Sequence, residues 1–398
     1  MSMRILMVHP HDIYSSAEPW TRRVVSLAGE LARKGNEVKL VYFSLSCKYG
    51  ESRIAGNCQA ISFPRNIASQ VFIRDIRFFA SLAKWADIIH FQKCHYYSAL
   101  PAVIAAYLYN KPLHYDWDDW EEMIWHESCG KSAHSRFIGL FFKILERLLP
   151  VLADSVSVSS RNLGDLSLKS GVSPECLYSV PVGADLEQFN PRVDGSGIRK
   201  QYNIDDFLIL YLGQLHGAQY IDIFIKAARV VIDKHPRVTF MIVGEGFMEK
   251  SLKKLAQEIG VSRNFIFTGS FPREDIPECV SAADICVAPF KKTKVTICKS
   301  PLKIVEYLAS GKPIVASNVG EVEEMIWDAG ILVEPGEAEP FAEGMLKLLG
   351  DSRLRQDLGN KARKRAEEMY NWQVSAQTLL TAYERSLNRR GNHNFNIR

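Results

Sequence analysis

An acidic side chain and several basic ones stand close together in the segment that spans residues 298–317. Ser300, Pro301 and Leu302 precede residues with the apolar spacing of a helix, and proline is favoured in a first helical turn. Backbone N–H groups at a helix N-terminus bind anions such as a diphosphate. On the same helix, the carboxylate of Glu306 can accept hydrogen bonds from two hydroxyl groups. These residue types favour a ligand with both phosphate and hydroxyl groups, and an ordinary acidic helix start is the structural alternative.

A second polar cluster follows the predicted strand Leu113–Tyr115. Asp116, Trp117, Asp118 and Asp119 come directly after this strand. A carboxylate in such a position can take the proton of a bound hydroxyl group or stabilise a positively charged transition state. Two alternatives remain open: acids that stabilise a helix N-terminus, and clustered carboxylates that bind a hard metal ion.

Short polar turns follow other predicted strands. His11 lies just after the first strand and could face a ligand, although a histidine in a turn is more often structural. Gly213 and the turn 244–246 follow strands in the second half of the chain. Glycine lets the backbone approach a ligand closely, and a turn that needs glycine for its own geometry is the alternative.

Apolar runs of strand length alternate with amphipathic segments of helix length along the whole chain. The predicted strands are 4–8, 37–43, 88–91, 113–115 and 155–158, then 207–212, 238–243, 265–268, 285–288, 314–316 and 331–333. This alternation predicts an α/β protein with two doubly wound parallel sheets. Prolines and glycines at 181–197 mark the boundary between the halves. Ligands of such sheets bind beyond the carboxyl ends of the strands, so we expect a cleft between those ends.

The composition excludes several classes of protein. A net charge of +4 over 398 residues is too small to indicate a nucleic-acid partner. The eight cysteines form no C-x-x-C pair, which argues against a zinc site and favours reduced thiols in a cytoplasmic protein. No uncharged apolar stretch reaches about 18 residues, so we expect no spanning helix. The first apolar run ends at Pro10 and is too short for a signal-peptide core.

The segment 298–317, CKSPLKIVEYLASGKPIVAS, resembles the donor-site segment of the family 4 retaining glycosyltransferases. The matching positions are Glu306, Ala309, Gly311, Pro313 and the Ala-Ser pair that follows. Five further segments resemble other parts of the same family's sequence: 181–189, 243–246, 267–271, 282–289 and 370–372. The resemblance implies the GT-B fold, in which two Rossmann-like domains face each other across a cleft. It implies an N-terminal acceptor-binding domain at 1–188, joined by the C-terminal helix 374–398, and a nucleotide-sugar-binding domain at 189–373.

The resemblance also implies an activity and a set of site residues. The expected enzyme moves a sugar, with retention, from a UDP- or GDP-linked donor to a glycan, lipid-linked or small-molecule acceptor, without a metal or cofactor. Glu306 would bind the nucleotide ribose, Phe271 would lie beside the nucleobase, and Lys299 would stabilise the leaving diphosphate. The remaining implied donor-binding residues are Gly213, Gln214, Gln219, Gly244, Glu245, Cys298, Ser300, Pro301, Leu302 and Lys303.

Three donor-side positions depart from the family pattern. Gln214 and Gln219 stand where the family has the arginine and lysine that grip the diphosphate, and Cys298 replaces a glutamate that contacts the donor sugar. The lysines at 291, 294, 299 and 303 are candidates to restore the positive charge. The losses leave a catalytically silent, glycosyltransferase-like binding subunit as the main alternative. A nucleotide-sugar epimerase of the same fold is a weaker one.

The acceptor side is assigned to the polar cluster in the first half. Asp118 lies nearest to the position where the family often has a histidine, and we expect it to be catalytic. Asp116, Trp117, Asp119 and His11 are the predicted acceptor-binding residues.

One of two apolar segments in the first half of the chain raises the question of membrane contact. Residues 63–86 combine apolar and basic side chains, which is typical of a helix on an anionic lipid surface and also of a crossover helix against a sheet. The crossover helix is the favoured interpretation, and peripheral contact at the inner face of the membrane stays open. The segment 137–152 is predicted to be a core helix.

Overall fold

The alternating apolar runs fold into two separate parallel sheets with helices between their strands. The structure is a computed structural model that describes residues 2–15, 18–46, 50–54, 56–65, 72–129 and 132–395. Its contacts divide the chain into unit 1, Met1–Pro181 with Trp372–Arg398, and unit 2, Val182–Asn371.

Unit 1 contains an eight-stranded sheet with the order β3-β4-β2-β1-β5-β6-β7-β8. All neighbours are parallel except β3 and β4. The strands are β1 (Arg4–His9), β2 (Glu37–Ser44), β3 (Gly50–Arg53), β4 (Cys58–Pro64), β5 (Ile88–Gln92), β6 (Leu113–Trp117), β7 (Ser155–Val158) and β8 (Leu177–Ser179). The helices are α1 (Arg22–Arg33), α2 (Phe72–Trp85), α3 (Tyr96–Leu108), α4 (Glu121–Ser128), α5 (Ala133–Leu152), α6 (Arg161–Lys169) and the C-terminal α16 (Trp372–Phe395).

Unit 2 contains a six-stranded parallel sheet with the order β11-β10-β9-β12-β13-β14. The strands are β9 (Phe207–Leu212), β10 (Val238–Val243), β11 (Phe265–Gly269), β12 (Ile285–Ala288), β13 (Ile314–Ser317) and β14 (Gly330–Val333). The helices are α7 (Ser196–Gln201), α8 (Ile221–Lys234), α9 (Glu249–Glu258), α10 (Ile276–Ala282), α11 (Lys294–Cys298), α12 (Leu302–Ala309), α13 (Glu321–Ile326), α14 (Ala338–Gly350) and α15 (Ser352–Glu368).

Each sheet has one topological switch point, where the order of the strands reverses its direction across the sheet. In unit 1 it lies between β1 and β5, and in unit 2 between β9 and β12. Loops at the carboxyl ends of such strands diverge and leave a crevice, which is where ligands of doubly wound sheets bind. The candidate site residues of each unit cluster at these ends.

The structure places the unit boundaries after Pro181 and after Asn371, where the sequence predicts them after residues 188 and 373. The segment that follows Pro181 is held by unit 2. Ala184 bridges to Asn371, and the buried ring of Phe189 lies 5.0 Å from the guanidinium of Arg273.

Several elements differ from the predicted pattern. Strands β3, β4 and β8 are not predicted, and Phe63 belongs to β4 rather than to an amphipathic helix. The predicted helix from residue 20 begins as an α-helix only at Arg22, after a 3-10 turn at Pro19–Thr21. Asp116 and Trp117 are the last residues of β6 and do not follow it, because their backbones pair with β7.

Of the two apolar helices of unit 1, α2 packs as expected and α5 does not. On α2, Phe79, Leu82 and Ala83 are buried, as expected for a crossover helix; residues 66–71 of the predicted segment lie outside the described residues. Helix α5 is not the predicted core helix, since much of its apolar surface is exposed. No helix of the described ranges is long and apolar enough to cross a bilayer.

Candidate functional site

In unit 2, the loops after β9 and β10 are held together by their backbones at two glycines. The Gly213 N–H donates to the Val243 carbonyl at 2.9 Å, and both Gly213 and Gly244 have positive φ angles, +141° and +138°. A Cβ atom on Gly244 would lie 2.1 Å from the Gly213 carbonyl oxygen. The turn itself therefore requires glycine at Gly244, as the structural alternative predicts.

A lysine occupies the space beside this turn. The Nζ atom of Lys303, on the first turn of α12, lies 2.9 Å from where a Cβ of Gly213 would stand. It donates to Oε1 of Gln219 at 3.1 Å and lies 3.9 Å from the ring centre of Tyr211. Gln219 is itself 8% exposed, and Tyr211 donates to the same Oε1. Gln219 stands where the resemblance implies a lysine, and its side chain accepts a hydrogen bond from a different lysine, Lys303.

The electrostatics of this position suit an anion. Burial and the nearby charge of Lys299 lower the pKa of Lys303 well below its ordinary value, against the opposing effect of Glu306. Burial, with Lys299 and Lys303, lowers the pKa of His216 to about 4. Positive charge is concentrated here, and among the described residues no carboxylate forms an ion pair with Lys303 Nζ. An anionic ligand would relieve the repulsion.

The segment between α11 and α12 carries the other predicted donor-binding residues. Cys298 is buried at the end of α11, Lys299 follows it half-buried, and Ser300 Oγ lies 3.7 Å from Met325 Sδ. Pro301 caps α12, which begins at Leu302, so the first N–H groups of this helix have no intrahelical acceptor. This end of α12 is therefore a candidate for binding phosphate oxygens.

A buried tyrosine fixes α12 against the sheet. The backbone N–H of Leu212, the last residue of β9, donates to Oη of Tyr307 at 2.8 Å. This contact sets the helix directly beside the carboxyl end of β9, where the turn at Gly213 begins. The predicted donor-binding residues of α12 and of the β9 loop lie close together for this reason.

Glu306 is buried within α12 but has an ionic partner. Its side chain is 3% exposed, and its Oε1 accepts a hydrogen bond from Nη2 of Arg273. The second carboxylate oxygen has no hydrogen bond of its own among those of the described residues and can accept one from a ligand hydroxyl. Sequence reasoning missed Arg273, whose place near Glu306 depends on the loop after β11.

The remaining predicted donor residues lie around the same strand ends. Gln214 is half-buried, and its carbonyl accepts a long hydrogen bond from Tyr211. The Glu245 carbonyl accepts from the backbone of Leu215 at 2.9 Å, and the half-buried Phe271 follows β11. Their roles toward a ligand stay predictions.

In unit 1, one buried lysine forms ion pairs with three acidic side chains at the carboxyl ends of β5 and β6. The Nζ atom of Lys93 lies 3.2 Å from Asp118 Oδ1, 3.1 Å from Asp119 Oδ2 and 2.6 Å from Glu121 Oε1. Lys93 is 2% exposed at the side chain and has a φ of +65°, an unusual backbone conformation for a residue with a side chain. Strain of this kind is found at sites where a side chain has to be aimed.

The charges in this cluster shift one another strongly. Burial alone would lower the pKa of Lys93, but the three carboxylates raise it well above its ordinary value. Burial, with the charges of Asp119 and Asp116, raises the pKa of Asp118, against Lys93. Asp118 also accepts a hydrogen bond from Nε2 of Gln92 at 2.9 Å. A buried carboxyl with a raised pKa is suited to exchange a proton with a bound hydroxyl group.

Asp116 and Trp117 lie in the strand and not in the loop. Asp116 is fully buried, receives both hydrogen bonds of the Arg23 guanidinium at 2.8 Å and accepts a third from Ser157 at 2.5 Å. Trp117 is 3% exposed within the same strand. The structure therefore places these two predicted acceptor-binding residues in the core of unit 1.

His11 lies beside a second ion pair. Its Nδ1 is 2.9 Å from Oε1 of Glu18, whose two oxygens also accept from the guanidinium of Arg65. The ring of His11 is 4.9 Å from that of His95, so it adjoins the residues that follow β5. Burial lowers the pKa of His11, which keeps the ring neutral near pH 7 despite the acid beside it. His11 and the acids around Lys93 are thus brought to one edge of the sheet.

The described residues contain no group of three or more histidine, cysteine or acidic side chains with the geometry of a metal site. The Asp-x-Asp spacing at 116–118 has another explanation here. Arg23 forms an ion pair with the first aspartate, and Lys93 forms one with the second.

The second half of the chain matches a known family. Residues 196–365 match the family model described as "Glycosyl transferases group 1". These residues form a glycosyl transferases group 1 domain. The group 1 domain contains the whole of the donor-side cluster around Lys303 and Glu306.

The chain is also similar to curated glycosyltransferases, at 27% to 30% sequence identity. The chain is 27% identical over 252 residues to MMP alpha-(1->4)-mannosyltransferase of Mycolicibacterium hassiacum, which covers 63% of this chain and 58% of that protein. It is 30% identical to a GDP-mannose-dependent monoacylated alpha-(1-6)-phosphatidylinositol monomannoside mannosyltransferase of Corynebacterium glutamicum, over 50% of this chain and 54% of that protein. The chain thus matches just over half the length of these two relatives.

Solved structures show the fold. HepE of Anabaena, in complex with UDP, superposes with a TM-score of 0.72 at 18% identity, over 96% of this chain and 100% of that chain. WaaG, a glycosyltransferase of lipopolysaccharide biosynthesis, superposes with a TM-score of 0.64 at 17% identity, over 94% and 98%. The fold is GT-B, as the sequence predicts.

Proposed function

We propose that this chain transfers a sugar from a UDP- or GDP-linked donor to a glycan, lipid-linked or small-molecule acceptor, with retention of the anomeric configuration and without a metal ion. The observation that carries the proposal is the cluster in the group 1 domain where Lys303, the start of α12 and Glu306 lie side by side. The names of the relatives, both mannosyltransferases, support transfer of a hexose from a nucleotide donor.

The donor half of the reaction is assigned to unit 2. Lys303 and the first N–H groups of α12 would bind the diphosphate, and Lys299 would add charge as the bond to the sugar breaks. The second oxygen of Glu306 would accept a hydrogen bond from a ribose hydroxyl, while the contact with Arg273 orients the carboxylate. These contacts replace the arginine and lysine that Gln214 and Gln219 do not supply.

The acceptor half is assigned to unit 1. Asp118 is buried beside Lys93 and can accept the proton of the attacking hydroxyl group or stabilise the positive charge that develops on the sugar. Asp119 and His11 would contact the acceptor. Asp116 and Trp117 support this edge from within the sheet.

The alternative of a catalytically silent binding subunit receives no support from the relatives, since the two curated ones are named as transferases. That alternative was motivated by the missing arginine and lysine at Gln214 and Gln219. Lys303, whose Nζ atom lies beside Gln219, would supply part of the missing positive charge. A donor-hydrolysis screen separates the two functions, because only an enzyme releases nucleoside diphosphate from a sugar nucleotide.

The test of the proposal is the substitution Glu306→Ala. We expect it to abolish binding of the nucleoside diphosphate in isothermal titration calorimetry, because the carboxylate that faces the ribose is lost. Glu324→Ala is the matched control in the same unit, since Glu324 also pairs with an arginine, Arg365, at 3.3 Å. Unfolding curves of both variants separate a loss of binding from a loss of the fold.

Unchanged affinity in the Glu306→Ala variant would reject this donor site. An equal loss in the Glu324→Ala variant would reject it as well, because the effect would then come from general damage to unit 2. The configuration of the product, read by NMR from the anomeric proton of the transferred sugar, tests retention separately.

A further inference from the structure

Helix α5 in unit 1 presents a continuous apolar face to solvent. Its exposed apolar side chains are Phe137, Leu140, Phe141, Ile144, Leu148 and Val151, which are between 38% and 70% exposed. At about 3.6 residues per turn, these positions lie within roughly one third of the helix circumference. The stripe runs from Phe137 to Val151, so it extends over about 20 Å at about 1.5 Å per residue. Contiguous exposed apolar surface of this kind marks an interaction site.

The charges beside the stripe are all of one sign. Arg136 and Arg147 are exposed and Lys143 is half-buried, and the helical spacing places all three along one edge of the apolar face. The only acid in α5 is Glu146, which is 2% exposed and accepts the backbone N–H groups of Glu121 and Glu122. The exposed side of α5 is therefore apolar and basic, with no acidic side chain.

Neighbouring elements extend the apolar surface at the C-terminal end of α5. Tyr107, at the end of α3, donates its hydroxyl to the Leu152 carbonyl at 3.0 Å, and the adjacent Leu108 is 65% exposed. By contrast, α2 turns Phe79 and Leu82 toward the core. The helix that the sequence offered for membrane contact is therefore packed inward, and α5 has the exposed face.

We propose that the exposed face of α5 docks on an anionic lipid surface. The apolar stripe would enter the boundary between headgroups and acyl chains, and Arg136, Lys143 and Arg147 would pair with anionic headgroups. Charge complementarity selects this occupant over a second copy of the chain. Two such faces packed on each other would bring six cations together without an acid, and like charges oppose that contact. The proposal does not depend on the proposed donor site.

The test is co-sedimentation of the full chain with vesicles. We expect binding to vesicles of phosphatidylcholine with about 30 mol% phosphatidylglycerol, much weaker binding to phosphatidylcholine alone, and release by salt. The variant with Ile144→Glu and Leu148→Glu should lower the bound fraction at least about tenfold. The variant with Arg136→Gln, Lys143→Gln and Arg147→Gln should lose the preference for anionic vesicles.

The matched control introduces the same charges on unit 2. Trp327→Glu with Met369→Glu alters two apolar side chains that are also exposed, 63% and 41%, and should leave vesicle binding unchanged. Circular dichroism checks that each variant is folded, and calorimetry with the nucleoside diphosphate should give the parent affinity for the α5 variants.

Three results would overturn the proposal. One is a parent chain that stays in the supernatant with anionic vesicles. Another is an equal loss of binding in the unit 2 control. The third is a dimer in light scattering that dissociates in the Ile144→Glu, Leu148→Glu variant while vesicle binding is absent, which would assign the face to a second copy.

Discussion

The ammonium group of Lys303 donates a hydrogen bond to the side chain of Gln219, 84 residues earlier in the chain, at 3.1 Å. Gln219 stands where the resemblance implies a lysine that grips the diphosphate. A cation therefore lies beside this position, and it comes from α12 instead of from the loop after β9. The glutamine serves as its acceptor, and the ring of Tyr211 lies beneath it.

The first prediction concerns the charge of Lys303. Lys303→Gln should weaken binding of a nucleoside diphosphate by about 10- to 150-fold, since a hydrogen bond to a charged group contributes about 1.5–3 kcal/mol. Binding of the nucleoside without phosphates should hardly change. Calorimetry with both ligands measures the difference, and Lys292→Gln, an exposed lysine of the preceding loop, is the control. Equal weakening of both ligands would place Lys303 away from the phosphates.

The same residue predicts a pH dependence. Because burial and Lys299 lower the pKa of Lys303, its ammonium group loses the proton at a lower pH than an ordinary lysine does. Affinity for the diphosphate should fall as the pH rises through that lowered pKa, and binding at alkaline pH should take up a proton. Calorimetry in buffers of different ionisation enthalpy measures the uptake. Lys303→Gln should remove it.

The second prediction concerns Asp118. Asp118→Asn should lower the rate of sugar transfer by about 100-fold or more while donor affinity stays unchanged, which is typical of the loss of a general base. Asp119→Asn is the control, because Asp119 pairs with the same lysine but is 29% exposed at the side chain. Its transfer rate should fall much less.

The acid limb of the rate profile gives an independent check on Asp118. Burial and the neighbouring acids raise the pKa of this carboxyl, so activity should rise with pH through that raised value and not near the pKa of about 3.9 of an ordinary aspartate. If activity instead rises with pH near the pKa of an ordinary aspartate, about 3.9, Asp118 is not the base.

The third prediction concerns the buried pair of Asp116 and Arg23. Asp116→Asn should lower the free energy of unfolding by about 3–5 kcal/mol, because it leaves the guanidinium buried without its counter-charge. Asp233→Asn breaks an exposed pair with Arg229 and should cost only about 0.5 kcal/mol or less. Denaturant titration of both variants measures the contrast.

The same pair contributes to acid sensitivity. Burial would raise the pKa of Asp116, but the charge and hydrogen bonds of Arg23 hold it below its usual range. Its stabilising contribution is therefore complete above the unfolded-state pKa of about 3.9 and is lost as the pH falls through the lower folded-state value. Similar acid sensitivity in the parent and the Asp116→Asn variant would contradict this assignment.

The fourth prediction compares two glycines that share a positive φ but differ in crowding. Gly244→Ala would place a Cβ atom 2.1 Å from the Gly213 carbonyl oxygen and should destabilise unit 2 by about 3 kcal/mol or more. At Gly269, φ is +73° and a Cβ would meet no atom within 4 Å, so Gly269→Ala should cost only about 1 kcal/mol. Equal losses would show that backbone conformation, and not the contact between the two loops, sets the cost.

Most strands and helices of both units could be predicted, because a segment that is buried in the fold has an apolar pattern in its own sequence. Strand β9 is buried on both faces and appears as unbroken apolar sequence, and the apolar sequence of β10 is interrupted only by Thr239. Strand β3 could not be predicted, since Gly50–Arg53 is exposed, polar and held only by pairing with β4. Helix α5 was wrongly assigned to the core, because periodicity shows that a helix has an apolar face but not what covers it.

The sequence by itself determined the fold class, the GT-B resemblance and the segment around Glu306. Local periodicity and a contiguous motif carry that information. The tertiary structure decided the partners: Arg273 for Glu306, Lys93 for Asp118, Arg23 for Asp116 and Gln219 for Lys303. These pairs join residues between 25 and 93 positions apart, as Lys93 and Asp118 or Arg23 and Asp116 do. Which charges meet depends on the order of the strands and on burial, and a single sequence does not encode either in its local spacing.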